Sequence, residues 1–96
     1  MITKFRKRYI LLYFSNGFDE NNFINFLRTF IGIKNFAIAH IKIIEKYQNN
    51  LVIIRVSHLY EKDIILATIF YGGIISIKVS GTIKKIKSIL SEKNLI

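Results

Sequence analysis

Residues 36–57 read Phe36-Ala37-Ile38-Ala39-His40-Ile41-Lys42-Ile43-Ile44-Glu45-Lys46-Tyr47, then Gln48-Asn49-Asn50, then Leu51-Val52-Ile53-Ile54-Arg55-Val56-Ser57. Successive strand residues point to opposite faces. A strand over Phe36–Tyr47 would therefore put Ala39, Ile41 and Ile43 on one face and His40, Lys42 and Ile44 on the other. The three amides at 48–50 supply turn chemistry. The return strand has Val52, Ile54 and Val56 on one side, Arg55 and Ser57 on the other. This hairpin anchors the reading, because it joins two halves that each resemble a strand–helix unit.

Before the hairpin, Tyr9-Ile10-Leu11-Leu12-Tyr13-Phe14 is a short run of β-favouring residues, apolar on both faces, as a central strand requires. Ser15-Asn16-Gly17 ends it. Asp19–Ile31 follows as a helix, with Phe23, Phe26, Leu27, Phe30 and Ile31 forming one stripe at helical spacing. Asp19 and Glu20 suit its positive end, and Gly32 its stop.

After the hairpin, Ser57 or His58 caps a helix over about Tyr60–Tyr71, with Glu61 and Asp63 in its first turn and Gly72-Gly73 behind it. This helix is apolar nearly all round. Ile65, Leu66, Ile69 and Phe70 lie to one side and Ile64, Ala67 and Tyr71 toward another. Such a helix needs cover on more than one side, from the C-terminal segment or from a partner, and Ile64, Ala67 and Tyr71 are the expected partner surface. Ile74–Val79 is the last strand, with Ile75, Ile77 and Val79 inward and Ser76 and Lys78 outward. A helix from Thr82 to about Leu95 turns Ile83, Ile86, Ile89 and Leu90 to one side and its lysines elsewhere.

The order β-α-β-β-α-β plus a C-terminal helix is the split βαβ pattern. The expected fold is an α+β, ferredoxin-like or RRM-like α/β sandwich on a four-stranded antiparallel sheet, in spatial order 4-1-3-2. The 96 residues make a single domain. In that topology the start of the first strand lies at the same end as the finishes of the third and fourth.

Charge falls at that end. The net charge is +9, of which residues 1–8, a basic arm with Lys4, Arg6, Lys7 and Arg8, carry +4, and residues 84–96 carry +3. A near-neutral body with two basic ends points to a polyanion, nucleic acid before an anionic membrane. Phosphates are held by Arg and Lys, hydroxyls, backbone N–H groups and helix starts. The expected RNA-binding set is therefore Lys4, Arg6, Lys7, Arg8, Arg55, Ser57, His58, Ser80, Gly81, Thr82, Lys84 and Lys85. Tyr9 and Tyr13 either lie on an open face beside Arg55 and Lys78 or pack under the last helix. The third strand has no aromatic for stacking bases, so backbone and shape reading of a folded RNA is expected.

Catalysis finds little footing. Asp19, Glu20, Glu45, Glu61, Asp63 and Glu92 make no metal-ligand spacing, and His40 and His58 lack carboxylates at motif spacing. No catalytic residue, metal site or protein-bound cofactor is expected. The chain has no cysteine, hence no disulfide framework. No apolar run reaches the roughly 18 residues of a membrane span, and no signal-peptide pattern opens the chain. A soluble cytoplasmic protein with no membrane partner is expected.

Three segments carry a family resemblance: Arg8-Tyr9-Ile10-Leu11, Ile53-Ile54-Arg55-Val56-Ser57-His58 and Val79-Ser80-Gly81-Thr82-Ile83-Lys84. In order and approximate spacing they resemble the archaeal and eukaryotic ribonuclease P protein component 2 family. The resemblance implies a non-catalytic subunit of a ribonucleoprotein endonuclease that removes the 5′ leader of precursor tRNA. The RNA subunit and its Mg²⁺ ions would do the chemistry. The partners it implies are ribonuclease P RNA, the component 3 protein and other protein subunits, and indirectly precursor tRNA, with a homodimer inside a heterotetramer. Two alternatives stand beside it: a ferredoxin-like protein-interaction module, and an RNA-binding subunit of another ribonucleoprotein.

Overall fold

A computed structural model describes residues 6–47 and 50–92. Lys4, the turn residues Gln48 and Asn49, and residues 93–96 lie outside the described residues. The elements are β1 (Lys7–Phe14), α1 (Glu20–Ile31), α2 (Ile33–Ala39), β2 (Lys42–Lys46), β3 (Leu51–Ser57), a 3-10 turn (His58–Tyr60), α3 (Glu61–Tyr71), β4 (Ile74–Ser80) and α4 (Ile83–Glu92). The strands form one sheet in the order β2-β3-β1-β4 with every pairing antiparallel. This is the expected α+β, ferredoxin-like architecture.

The central strands are buried on both faces, which their continuous apolar runs require. Ile10, Leu12, Phe14, Val52, Ile54 and Val56 meet Phe23 and Leu27 of α1, Ala39 of α2, and Ile64 and Ala67 of α3. Leu11, Leu51 and Ile53 face the other way and are covered by Ile86 and Leu90 of α4. Tyr9 and Tyr13 are half-buried against this second cluster, so of the two placements weighed for them it is packing under the last helix that the fold adopts. Asp19 caps α1 by accepting from the Asn22 backbone N–H at 3.2 Å.

Residues 33–39 correct the expectation of a strand beginning at Phe36. Gly32 leaves α1 with φ 89°, and the chain restarts as α2, closed by His40 in the left-handed region at φ 53°. Ala37 and Ala39 are good helix formers. Tertiary partners select the helix: the Asn35 amide accepts from the Tyr60 hydroxyl at 3.1 Å and donates to the Ile31 carbonyl at 2.8 Å. The Phe36 ring lies under the Arg28 guanidinium at 5.3 Å.

Two register irregularities also revise the facing of residues. One falls between Ile43 and Glu45 on β2; the other lies opposite Leu11 and Leu12, where β4 steps over Ile77. A bulge moves the residues beyond it to the opposite face. Ile77 joins the α4 side, Val79 the α1–α3 side, and Ile75 is left exposed, so these three do not share the inward face expected of them. At the start of β4, Gly73 has φ +73°, and a Cβ there would stand 2.8 Å from Asn16 Nδ2. Its carbonyl accepts from the Ser15 backbone N–H and hydroxyl, at 2.8 and 2.9 Å, so glycine meets both a conformational and a steric need.

On α3 the inward side is Ile64, Ala67 and the buried Thr68. Ile64 and Ala67 are wholly inaccessible, and the Tyr71 ring packs edge-on to Phe23 and Phe26. The partner surface expected at Ile64, Ala67 and Tyr71 is therefore corrected: Ile64 and Ala67 belong to the core, and Tyr71 is half-buried against it. The outward apolar residues are Leu66, Ile69 and Phe70, with the Phe70 ring 5.6 Å from that of Phe30.

A polar latch holds α4 to β2. Lys87 Nζ pairs with Glu45 Oε1 at 2.8 Å, and the Tyr47 hydroxyl donates to the other carboxylate oxygen. The Lys87 ammonium, then the Tyr47 hydroxyl, hold the Glu45 carboxyl below its usual range against some desolvation. Burial, then the Glu45 carboxylate, push the Tyr47 phenol up to about 12. The folded phenol thus binds its proton more tightly than the unfolded one. Its stabilising effect is complete below pH ~10 and is lost as pH rises toward about 12. In an ultraviolet absorbance titration, one tyrosine should ionise late, near pH 12, and Tyr47→Phe should remove that phase.

Candidate nucleic-acid interface

Strand register brings the expected segments to one end of the sheet. Lys7 pairs with Ser57, Arg8 with Val56, and Tyr9 with Ser80. The Arg6 carbonyl accepts from the His58 backbone N–H at 2.8 Å and lies 3.3 Å from His58 Nδ1. A carbonyl can only accept, so this contact requires the proton on Nδ1. His58 therefore ties the exit of the basic arm to the end of β3.

The two serines have backbone roles. Ser57 Oγ accepts from the Leu59 N–H at 3.4 Å, and Ser80 Oγ from the Thr82 N–H at 3.2 Å. Ser57 is buried, only 3% exposed, and shapes the turn into α3 from below the surface. Thr82 and Gly81 are exposed at the entry to α4. The first N–H groups of α4 lack intrahelical acceptors there and carry the positive end of the helix dipole.

A cleft of about 490 Å³ opens at the β4 edge of this end, lined by Arg8, Glu61, Lys78, Val79, Ser80, Gly81 and Lys85. It gathers three cations and one carboxylate. Arg8 Nε pairs with Glu61 Oε1 at 3.2 Å, and a Cβ on Gly81 would sit 3.5 Å from Arg8 Nη1. Glu61 thus orients the guanidinium across the mouth of the turn, with both side chains about a third exposed. A surface pair of this kind contributes little stability; its effect is to position a fork of N–H donors where an anion can meet them.

The expected residues divide over this end. Arg8, Ser80, Gly81 and Lys85 line the cleft. Arg6, Lys7, Thr82 and Lys84 are exposed but do not line it. Arg55 is not in the cleft: it lies on the α4 face of β3, directly opposite Tyr9 and Lys42. Two charged cleft residues were absent from the expected set. Lys78 stands two positions before Ser80 on an edge strand, a placement readable from the sequence order. Glu61 reads in sequence only as a helix-start charge, and nothing local marks it as the partner of Arg8.

Among the described residues, no three His, Asp or Glu side chains cluster in a way that could hold a metal ion, and no helix is long and apolar enough to cross a membrane. No protein-family model matches the chain, and no curated protein matches it.

Proposed function

We propose that the chain is a non-catalytic RNA-binding subunit of a ribonucleoprotein, ribonuclease P being the assembly its motifs favour. The observation that carries this reading is the convergence of Arg8, Lys78 and Lys85 on one cleft beside the start of α4, at the sheet end that also holds Arg6, Lys7 and His58. Cations, a helix start and backbone donors around an open cleft suit phosphate oxygens. With Tyr9 and Tyr13 engaged under α4, the surface offers contacts to the RNA backbone and shape instead of a base-stacking platform.

In this role the protein neutralises phosphates of the RNA subunit and stabilises its catalytic fold. Mg²⁺ belongs to the RNA; this chain supplies the cations that let RNA segments approach one another. Component 3 and the other protein subunits, precursor tRNA as an indirect partner, assembly as a homodimer within a heterotetramer, and a cytoplasmic setting follow the same resemblance. A protein-interaction role is favoured by a separate observation, the outward apolar group of Leu66, Ile69, Phe70 and Phe30, and it is compatible with a subunit that also contacts another protein.

Reconstitution tests the proposal. Adding this chain and a component 3 partner to the cognate RNA should restore precursor-tRNA cleavage at Mg²⁺ concentrations where the RNA alone is inactive. No gain in cleavage from this chain would overturn the ribonuclease P reading.

A further inference from the structure

The fold divides the basic end between the two faces of the sheet. Arg8 turns toward Glu61 at the start of α3, whereas its neighbours Lys7 and Tyr9 belong to the α4 face, as strand alternation requires. On that face Lys42 of β2 stands directly opposite Arg55 of β3, and Arg55 directly opposite Tyr9 of β1. The three therefore form one row across three strands.

Two features of this row are unfavourable in the protein alone. Lys42 and Arg55 are like charges in a cross-strand pair, an arrangement that destabilises a sheet. Among the described residues neither pairs with a carboxylate, and Glu45 is engaged by Lys87 and Tyr47, Glu20 by Lys46, and Glu61 by Arg8. Moreover, Arg55 Nε is, among the described residues, the one buried side-chain nitrogen or oxygen without a hydrogen-bond partner. Buried donors are normally satisfied, and each exception calls for an explanation.

Lys7 and Lys42 are exposed at this corner. α4 packs on Leu11, Leu51 and Ile53 and is latched to β2 further along the strand, at Glu45. Around α4, Lys84 lies about 60° from Lys87, while Lys85 lies about 160° away. Lys85 lines the cleft at the β4 edge; Lys84 shares the Lys87 side, toward β2 and β3.

We propose that the corner formed by Lys42, Arg55 and Lys7, with Lys84 beside it, is a second phosphate site, on the β2–β3 side of the sheet end and apart from the Arg8–Lys78–Lys85 cleft at the β4 edge. An RNA backbone phosphate at Arg55 would relieve the like-charge pair and supply the acceptor that its guanidinium lacks. The inference rests on the RNA-binding reading and sharpens it: the ligand is a folded RNA presenting two backbone segments, one to the β4 edge and one to the β2–β3 corner of the sheet end.

The buried Arg55 Nε–H exchanges slowly enough with water to give a ¹⁵N–¹H NMR cross-peak, identified by its loss in Arg55→Lys. Adding an RNA hairpin to the wild-type chain at low salt should move this peak. Lys42→Ala should reduce the slope of log affinity against log salt by about 0.7–0.9, the release expected for one phosphate. An Arg55 peak that stays in place while the hairpin saturates the protein, or a Lys42→Ala slope equal to the wild type's, overturns the second site and leaves the cleft standing. A wild-type chain that does not bind the hairpin overturns the RNA-binding reading, and this site with it.

Discussion

Replacing Lys78 and Lys85 together by alanine is expected to weaken RNA binding by roughly a hundredfold at low salt, with the fold unchanged. Both side chains are exposed and line the cleft, and neither forms an ion pair among the described residues. Their removal therefore deletes contacts to the ligand and little else. A hydrogen bond to a charged group contributes about 1.5–3 kcal/mol, and each 1.4 kcal/mol is tenfold in affinity. Two such contacts give about a hundredfold at the lower bound. The same variant should lower the magnitude of the salt slope by roughly 1.4–1.8, since two fewer phosphates are neutralised. Fluorescence anisotropy on a labelled RNA over a series of salt concentrations measures both. Unchanged affinity and slope would remove the cleft from the interface.

Ile64→Ala should cost about 2–5 kcal/mol of stability, the range for truncating a large aliphatic side chain in a packed core. Ile64 is wholly buried between α3 and the sheet, in the cluster that includes Phe23, Leu27, Ile54 and Val56, and the cavity cannot be filled from the surface. A domain of this size has total stability of about 5–15 kcal/mol, so the variant loses a large fraction of it. Thermal unfolding should shift by on the order of 10 °C or more. The measurement also separates two roles for α3. A residue on a partner surface would leave the isolated chain's melting temperature within a degree or two; a core residue would not. A stable Ile64→Ala chain that had lost only partner binding would return this side of the helix to the interface.

The α3 misplacement shows what local pattern cannot carry. Ile64, Ile65, Leu66, Ala67, Ile69, Phe70 and Tyr71 surround the helix with apolar side chains, so no stripe distinguishes its core face. The choice was made by the sheet it meets, with Ile64, Ala67 and Thr68 turned inward. α2 was hidden for a related reason. Its isoleucines and alanines fit a period of two as readily as 3.6, and contacts from Tyr60 and Arg28 decide between them. The bulges at Ile44 and Ile77 carry no glycine to announce them.

The sheet itself was legible. The apolar run at Tyr9–Phe14 suited a central strand, Leu51–Ser57 read as the return strand of a hairpin, and connection order then gave directions and neighbours. From those directions the meeting of Arg8, His58 and Ser80 at one end followed without any side-chain detail. The pairing of Arg8 with Glu61 did not, because it depends on how α3 enters the sheet layer. Nor did the separation of Arg55 from Lys85, because it depends on which edge α4 crosses.

The most direct test of the central claim is the salt dependence of RNA binding by the intact wild-type chain. With about five phosphates neutralised at the basic end of the sheet, log affinity should fall with log salt at a slope of roughly −3 to −5. A slope near zero, or no RNA binding at low salt, would contradict it.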